Sequence, residues 1–146
     1  MNPDLKFRLF KIRGKIDREA AIFYLDGITN NETIQNHLLS PLLHVGEIEK
    51  LEDIVFYHLS ILDAIVVRTI NEILSGLSKG KTLVLIDGFN EGILADTSDW
   101  QKRAISEPDT QRSIKGPLVS FNEQLKNNIN LLRNMAQTHQ LSVESY

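Results

Sequence analysis

Ala20-Ala21-Ile22-Phe23-Tyr24-Leu25 is apolar at six successive positions and ends abruptly at Asp26-Gly27. A short unbroken run of this kind predicts a central strand covered on both faces, followed by a sharp turn. Thr82-Leu83-Val84-Leu85-Ile86 repeats the pattern and also ends in Asp-Gly, at Asp87-Gly88. It predicts a second buried strand, joined through Phe89-Asn90-Glu91-Gly92 to Ile93-Leu94-Ala95 as a hairpin. The echo of the two strand ends is too short for a duplication, since Asp-Gly is a favoured turn wherever a buried strand surfaces.

Outward from these strands, Leu5, Phe7 and Leu9 alternate with Lys6 and Arg8 and predict a half-buried strand, while Phe10 and Ile12 shift the apolar parity and suggest a bulge or a frayed end. Asn30 or Asn31 caps an expected helix with Ile34, Leu38 and Leu42 on one stripe, bent or ended by Pro41. Asp53 to His58, rich in β-branched and aromatic residues, reads as a strand. From Ser60, the spacing of Leu62, Ile65, Val66, Ile70, Ile73 and Leu74 predicts a helix ended by a left-handed Gly76. Periodicity is lost from Asp96 to Pro117, an expected long ordered loop. Phe121, Leu125, Ile129, Leu132 and Ala136 then outline an amphipathic helix, and Leu141-Ser142-Val143 a short last strand. The expected class is α/β: one domain of three or two layers, in which a small mixed β-sheet is flanked by three main helices.

Composition agrees with one folded domain. The 146 residues are 42% hydrophobic and 24% charged, which excludes a disordered or collagen-like chain. With 16 basic and 19 acidic residues the net charge is -3, so no global field favours nucleic acid, and no nucleic-acid partner is expected. No apolar stretch reaches the ~20 residues of a membrane helix, and Met1-Asn2-Pro3-Asp4 does not read as a signal peptide.

Catalytic and metal motifs are not found in the sequence. Lys79-Gly80-Lys81-Thr82 ends like a phosphate-binding loop, but Ser75 stands where the first glycine is required, and the segment opens a strand rather than a helix. His37, His44, His58 and His139 are scattered, cysteine is absent, and Ser75, Ser78 and Ser120 lie in no nucleophile turn. Neither enzyme chemistry, a metal nor a cofactor is expected. The unusual chemistry is in the loop, where Trp100, Arg103, Glu107, Asp109, Arg112 and Lys115 sit among Pro108, Gly116 and Pro117. Arg103, Arg112 and Lys115 could bind an anion; alternatively Glu107 and Asp109 neutralise them in a network that fixes the path of the loop, with Trp100 as a core plug.

The run 20–27, with Ile73-Leu74-Ser75-Gly76, Leu83 to Gly88, Asp96-Thr97, Trp100, Arg103, Glu107-Pro108-Asp109-Thr110, Ile114-Lys115-Gly116-Pro117, Phe121-Asn122-Glu123 and Leu131-Leu132-Arg133, resembles the soluble N-terminal region of the A subunit of GerA-type spore germinant receptors. Lys115 stands where the family usually has Arg before Gly-Pro, and Leu118 and Val119 where Arg often follows. The resemblance implies a non-enzymatic part of a nutrient-responsive complex of the spore inner membrane, on its cytoplasmic side, whose partners are other receptor subunits. It also implies that residues 1–146 are the first α/β subdomain of a longer chain that reaches the membrane through segments outside this sequence. Two roles follow: assembly or signal transmission through the loop 96–117, or direct capture of a small nutrient in a cleft near Asp26 and Asp87, at the ends of buried strands.

Overall fold

The computed structural model describes residues 4–99, 120–138 and 142–145. Its strands are β1 (Asp4–Ile12), β2 (Arg18–Asp26), β3 (Ala64–Val67), β4 (Lys81–Ile86), β5 (Gly92–Asp96) and β6 (Ser142–Ser145), in the sheet order β3-β5-β4-β2-β1-β6. The first five strands in that order are mutually antiparallel, and β6 joins β1 in parallel, so the sheet is mixed. Four helical segments flank it: α1 over residues 31–43, α2 (Leu51–Tyr57), α3 (Ile70–Ser78) and α4 (Leu125–Thr138).

Alternate side chains of the same strands feed two separate cores. Leu5, Phe7, Ala21, Phe23, Leu25, Leu83, Leu85 and Leu94 meet α3 and α4 on one face. Ile12, Ala20, Ile22, Val84, Ile86, Ile93 and Ala95 meet α1 and α2 on the other. A strand apolar on both sides is what two helical layers require, and the result is three layers. Phe7 and Phe23 are cross-strand partners whose rings stack with centroids 5.1 Å apart.

This arrangement explains the change of parity in β1. The register from Asp4↔Asp26 to Ile12↔Arg18 is unbroken, with neither bulge nor fraying. Leu5 and Phe7 are covered by one helical layer, which stops short of the exposed Leu9, and Ile12 is covered by the opposite layer.

Other expectations need correction. The stretch expected as a strand over 53–58 is helical, within α2, because Leu51 and Ile54 lie one turn apart and are both buried, while Phe56 and Tyr57 remain exposed. Glu52 and Asp53 also complement the positive end of that helix. The helix expected from Ser60 to Gly76 is instead β3 followed by α3. Thr69 accepts from the Glu72 N–H (3.4 Å) and Glu72 reaches back to the Thr69 N–H (3.3 Å), a capping box that starts the helix late. Among the described residues there are four helical segments, against the three main helices expected.

Gly76 lies inside α3 with ordinary helical φ; a Cβ there would come within 2.6 Å of the buried Leu94. The left-handed residue is Gly80, at φ +89°. Asn30 is the observed cap of α1, accepting from the Thr33 N–H at 3.1 Å. Pro41 does not end that helix: the segment Ile34–Leu39 before it widens to a π-turn, in which the Ser40 N–H bonds Gln35 O, and the helix runs on to Leu43.

Gly80 closes the turn between α3 and β4, and a Cβ there would lie 3.0 Å from the Ile28 carbonyl oxygen. Its own carbonyl accepts from the Thr97 hydroxyl at 2.9 Å, and that hydroxyl is 2.6 Å from the buried Thr82 hydroxyl. Gly80→Ala is therefore expected to lower unfolding free energy by about 1–3 kcal/mol, from positive-φ strain and backbone crowding. Urea titration followed by circular dichroism measures it; unchanged stability would contradict this account of the turn.

Candidate functional site

The Asp87-Gly88 turn is a junction of four segments. At the end of β4 the Asp87 N–H donates to Glu19 O (2.9 Å), and the Arg18 guanidinium donates to Asp87 O (3.0 Å). The same guanidinium lies 5.2 Å from the Phe89 ring centroid, a cation–π contact. Gly88 takes φ +94°, and its N–H donates to Glu123 O at 2.8 Å. A Cβ at Gly88 would fall 2.5 Å from Arg18 Nη1, the movable end of a long side chain, so the positive φ rather than crowding is what calls for glycine here.

The start of α4 is held by the same turn. Asp87 Oδ1 accepts from the Leu125 N–H at 2.9 Å, so a carboxylate from the β4–β5 turn satisfies a donor at the positive end of the helix. Asn122 Oδ1 accepts from the Gln124 N–H (2.8 Å). The buried Asn128 accepts from the Asn122 N–H (3.0 Å) and donates to Asn122 O (2.8 Å). Beside this network Asn90, Phe121, Asn122, Glu123, Gln124 and Asn127 line an open hollow of about 580 Å³. The lining is rich in side-chain amides, suited to a neutral polar group. The N–H groups of Gln124 and Leu125 are already engaged, which leaves little for an anion.

The other Asp-Gly turn lies at the opposite end of the sheet. Asp26 pairs with Lys6 at 3.3 Å, and Gly27 takes φ +103°. Because β2 and β4 are antiparallel, Asp87 sits beside Glu19, seven residues along β2 from Asp26, or about 24 Å at strand rise. The two carboxylates do not share a cleft. Each turn instead holds one end of the segment between Asp99 and Ser120. After Gly27, the Asn30 N–H donates to Thr97 O (2.7 Å), Asp99 N–H donates to Ile28 O (2.9 Å), and Thr29 bridges Ser98. On return, Ser120 bridges Thr69, and Glu123 and Leu125 are held by Gly88 and Asp87.

Arg103, Glu107, Arg112 and Lys115, with Trp100 and most of the expected loop 96–117, lie outside the described residues. Arg18 and Asn128 do not stand out in the sequence, and Asn122 does so only within the run Phe121-Asn122-Glu123, not as a cap. An asparagine ahead of an amphipathic helix is a readable cap signal, but the partner of Arg18 is 69 residues away and leaves no local trace. Among the described residues no group of His, Cys, Asp and Glu could hold a metal ion, and no helix is long and apolar enough to cross a membrane.

Removing the carboxylate that caps α4 tests the junction. Asp87→Ala is expected to cost about 1–2 kcal/mol, and Asp87→Asn less, because an acceptor remains. Amide exchange at Leu125 should accelerate in the alanine variant; unchanged exchange would show that the bond contributes nothing.

Comparison with known proteins places this architecture. The family model described as Bacillus/Clostridium GerA spore germination protein matches residues 1–146. Spore germination protein KA of Bacillus subtilis (strain 168) is 29% identical over 146 residues, covering 98% of this chain and 27% of that protein. GerLA of Bacillus cereus is 27% identical, covering 98% of this chain and 30% of the relative. The chain thus spans less than a third of the length of these relatives. A crystal structure of the N-terminal domain of the A subunit of the Bacillus megaterium spore germinant receptor GerK3 superposes with a TM-score of 0.50 at 30% identity, covering 65% of this chain and 40% of that one. With the same α/β architecture and a match over its whole length, this chain belongs to the GerA family of spore germination proteins.

Proposed function

We propose that this chain is the first α/β subdomain of a germinant receptor A subunit and acts without catalysis, in receptor assembly or signal transmission. The observation that carries the reading is that two Asp-Gly turns, at opposite ends of the sheet, tether both ends of the segment bearing Arg103, Glu107, Arg112 and Lys115. The basic and acidic residues between these two anchored ends have the chemistry for contact with another subunit or a following domain. The carboxylates of Asp26 and Asp87 are engaged in an ion pair and a helix cap, roles that support structure more than ligand capture. In this reading the full-length protein sits at the spore inner membrane with this region on the cytoplasmic side, and its partners are the other receptor subunits.

Direct germinant binding is a second reading, favoured by the amide-lined hollow beside α4. Side-chain amides of Asn90, Gln124 and Asn127 could exchange hydrogen bonds with the hydroxyl or amide groups of a small nutrient.

Two measurements separate these roles. In spores carrying the full-length receptor, Arg103→Ala with Arg112→Ala is expected to lower receptor level or nutrient response at least about tenfold, the order of one lost charge-assisted contact; normal assembly and response would overturn the assembly reading. NMR titration of this chain with amino acids and sugars at millimolar concentration is expected to leave the Asn90, Asn122 and Asn127 resonances in place. Saturable shifts there would establish the second reading instead.

A further inference from the structure

Among the described residues no strand pairs with the outer margin of β3. Asp96 N–H donates to Asp63 O at 2.8 Å, which fixes the alternation along β3: residues 63, 65 and 67 bond inward to β5, and the N–H and C=O groups of Ala64 and Val66 point outward. Natural edges are usually blunted by shortness, lysine, proline or a bulge; β3 is short, at four residues, but Ala64-Ile65-Val66-Val67 has none of the other three. Large apolar side chains are exposed around it: Phe56 and Tyr57 at the end of α2, Leu62 in the connection, and Ile65 on the strand itself.

Charge decides what would cover this margin. Residues 47–63 carry five carboxylates and one lysine, although the whole chain has a net charge of only -3. Arg68 donates to Glu91 at 2.7 Å, which raises its pKa, and Lys81 pairs with Asp63 at 3.5 Å, so within the stretch Lys50 alone stands against Glu47, Glu49, Glu52 and Asp53. A second copy would set this acidic rim against itself, and an anionic lipid surface would be repelled.

We propose that β3 is a strand-addition site for an extended partner segment in which apolar residues alternate with lysine or arginine. Its backbone bonds Ala64 and Val66, its apolar side chains join Ile65 on one face of the sheet, and its cations lie on the opposite face, that of α2, toward Glu49 and Asp53. The inference rests on the assembly reading for its place in a receptor, but it concerns different residues from the segment 100–119. It is tested on the chain alone, so its failure leaves the arginine experiment standing.

The probes are two blocked octapeptides, one alternating Lys and Val and one alternating Glu and Val, titrated into the 15N-labelled chain. The Lys–Val peptide is expected to shift and protect the Ala64 and Val66 amides, to saturate below roughly 1 mM, and to bind several-fold more weakly as salt is raised. Ile65→Lys should weaken it about tenfold or more while circular dichroism stays unchanged. Leu62→Lys, at a fully exposed position where folding is not at risk, should weaken it in the same direction. Equal response to the Glu–Val peptide, or no response at β3, would overturn the proposal. So would doubling of solution mass with protection of β3, which identifies a second copy, or binding to phosphatidylserine vesicles with no response to peptide, which identifies a lipid surface.

Discussion

Burial of β2 and β4 on both faces is the constraint on which the other elements depend. Each strand supplies side chains to two cores at once, so neither helical layer can be removed without exposing half of both strands. Such a strand has a register problem, because a slip by one residue exchanges one apolar face for another and polarity alone does not forbid it. Shape supplies the specificity. Phe7 stacks on Phe23 across β1 and β2, and Gly92 lies opposite Leu85, where a Cβ would fall 2.8 Å from Leu83 and 3.1 Å from Leu85. The ends are then fixed by turns whose glycines take positive φ at Gly27 and Gly88.

Segments whose burial follows from their own composition were legible in the sequence. The runs 20–25 and 82–86, the hairpin to 93–95 and the amphipathic stretch after Phe121 all form as read, because continuous apolarity or a clean period leaves one way to hide them. Residues 53–76 misled for the opposite reason. Leu62, Ile65 and Val66 match a helical period, yet Leu62 is fully exposed and Ile65 half exposed, so the period records no buried face. Thr69 and Glu72 carried the better signal, since a capping box marks a helix start whatever precedes it. β1 misled more mildly: its change of parity reflects two layers covering different ends of one regular strand.

The candidate site was legible only in part. Both Asp-Gly turns stood out, but their separation by the length of the sheet depends on the antiparallel sense of β2 and β4, which is a property of the fold. The tie from Asp87 to α4 and the stacking of Arg18 on Phe89 join residues distant in sequence, and no spacing rule anticipates them. What emerges is a sheet whose two ends hold the chain up to Asp99 and again from Ser120, and in which, among the described residues, nothing pairs with the outer margin of β3.

Native-state hydrogen exchange resolved by residue tests the central constraint most directly. If burial on both faces of β2 and β4 governs the fold, the amides of Ala21, Phe23, Val84 and Leu85 exchange only through global unfolding, while those of β3 exchange through local opening at lower free energy. Exchange from the central pair as fast as from β3 would contradict the account.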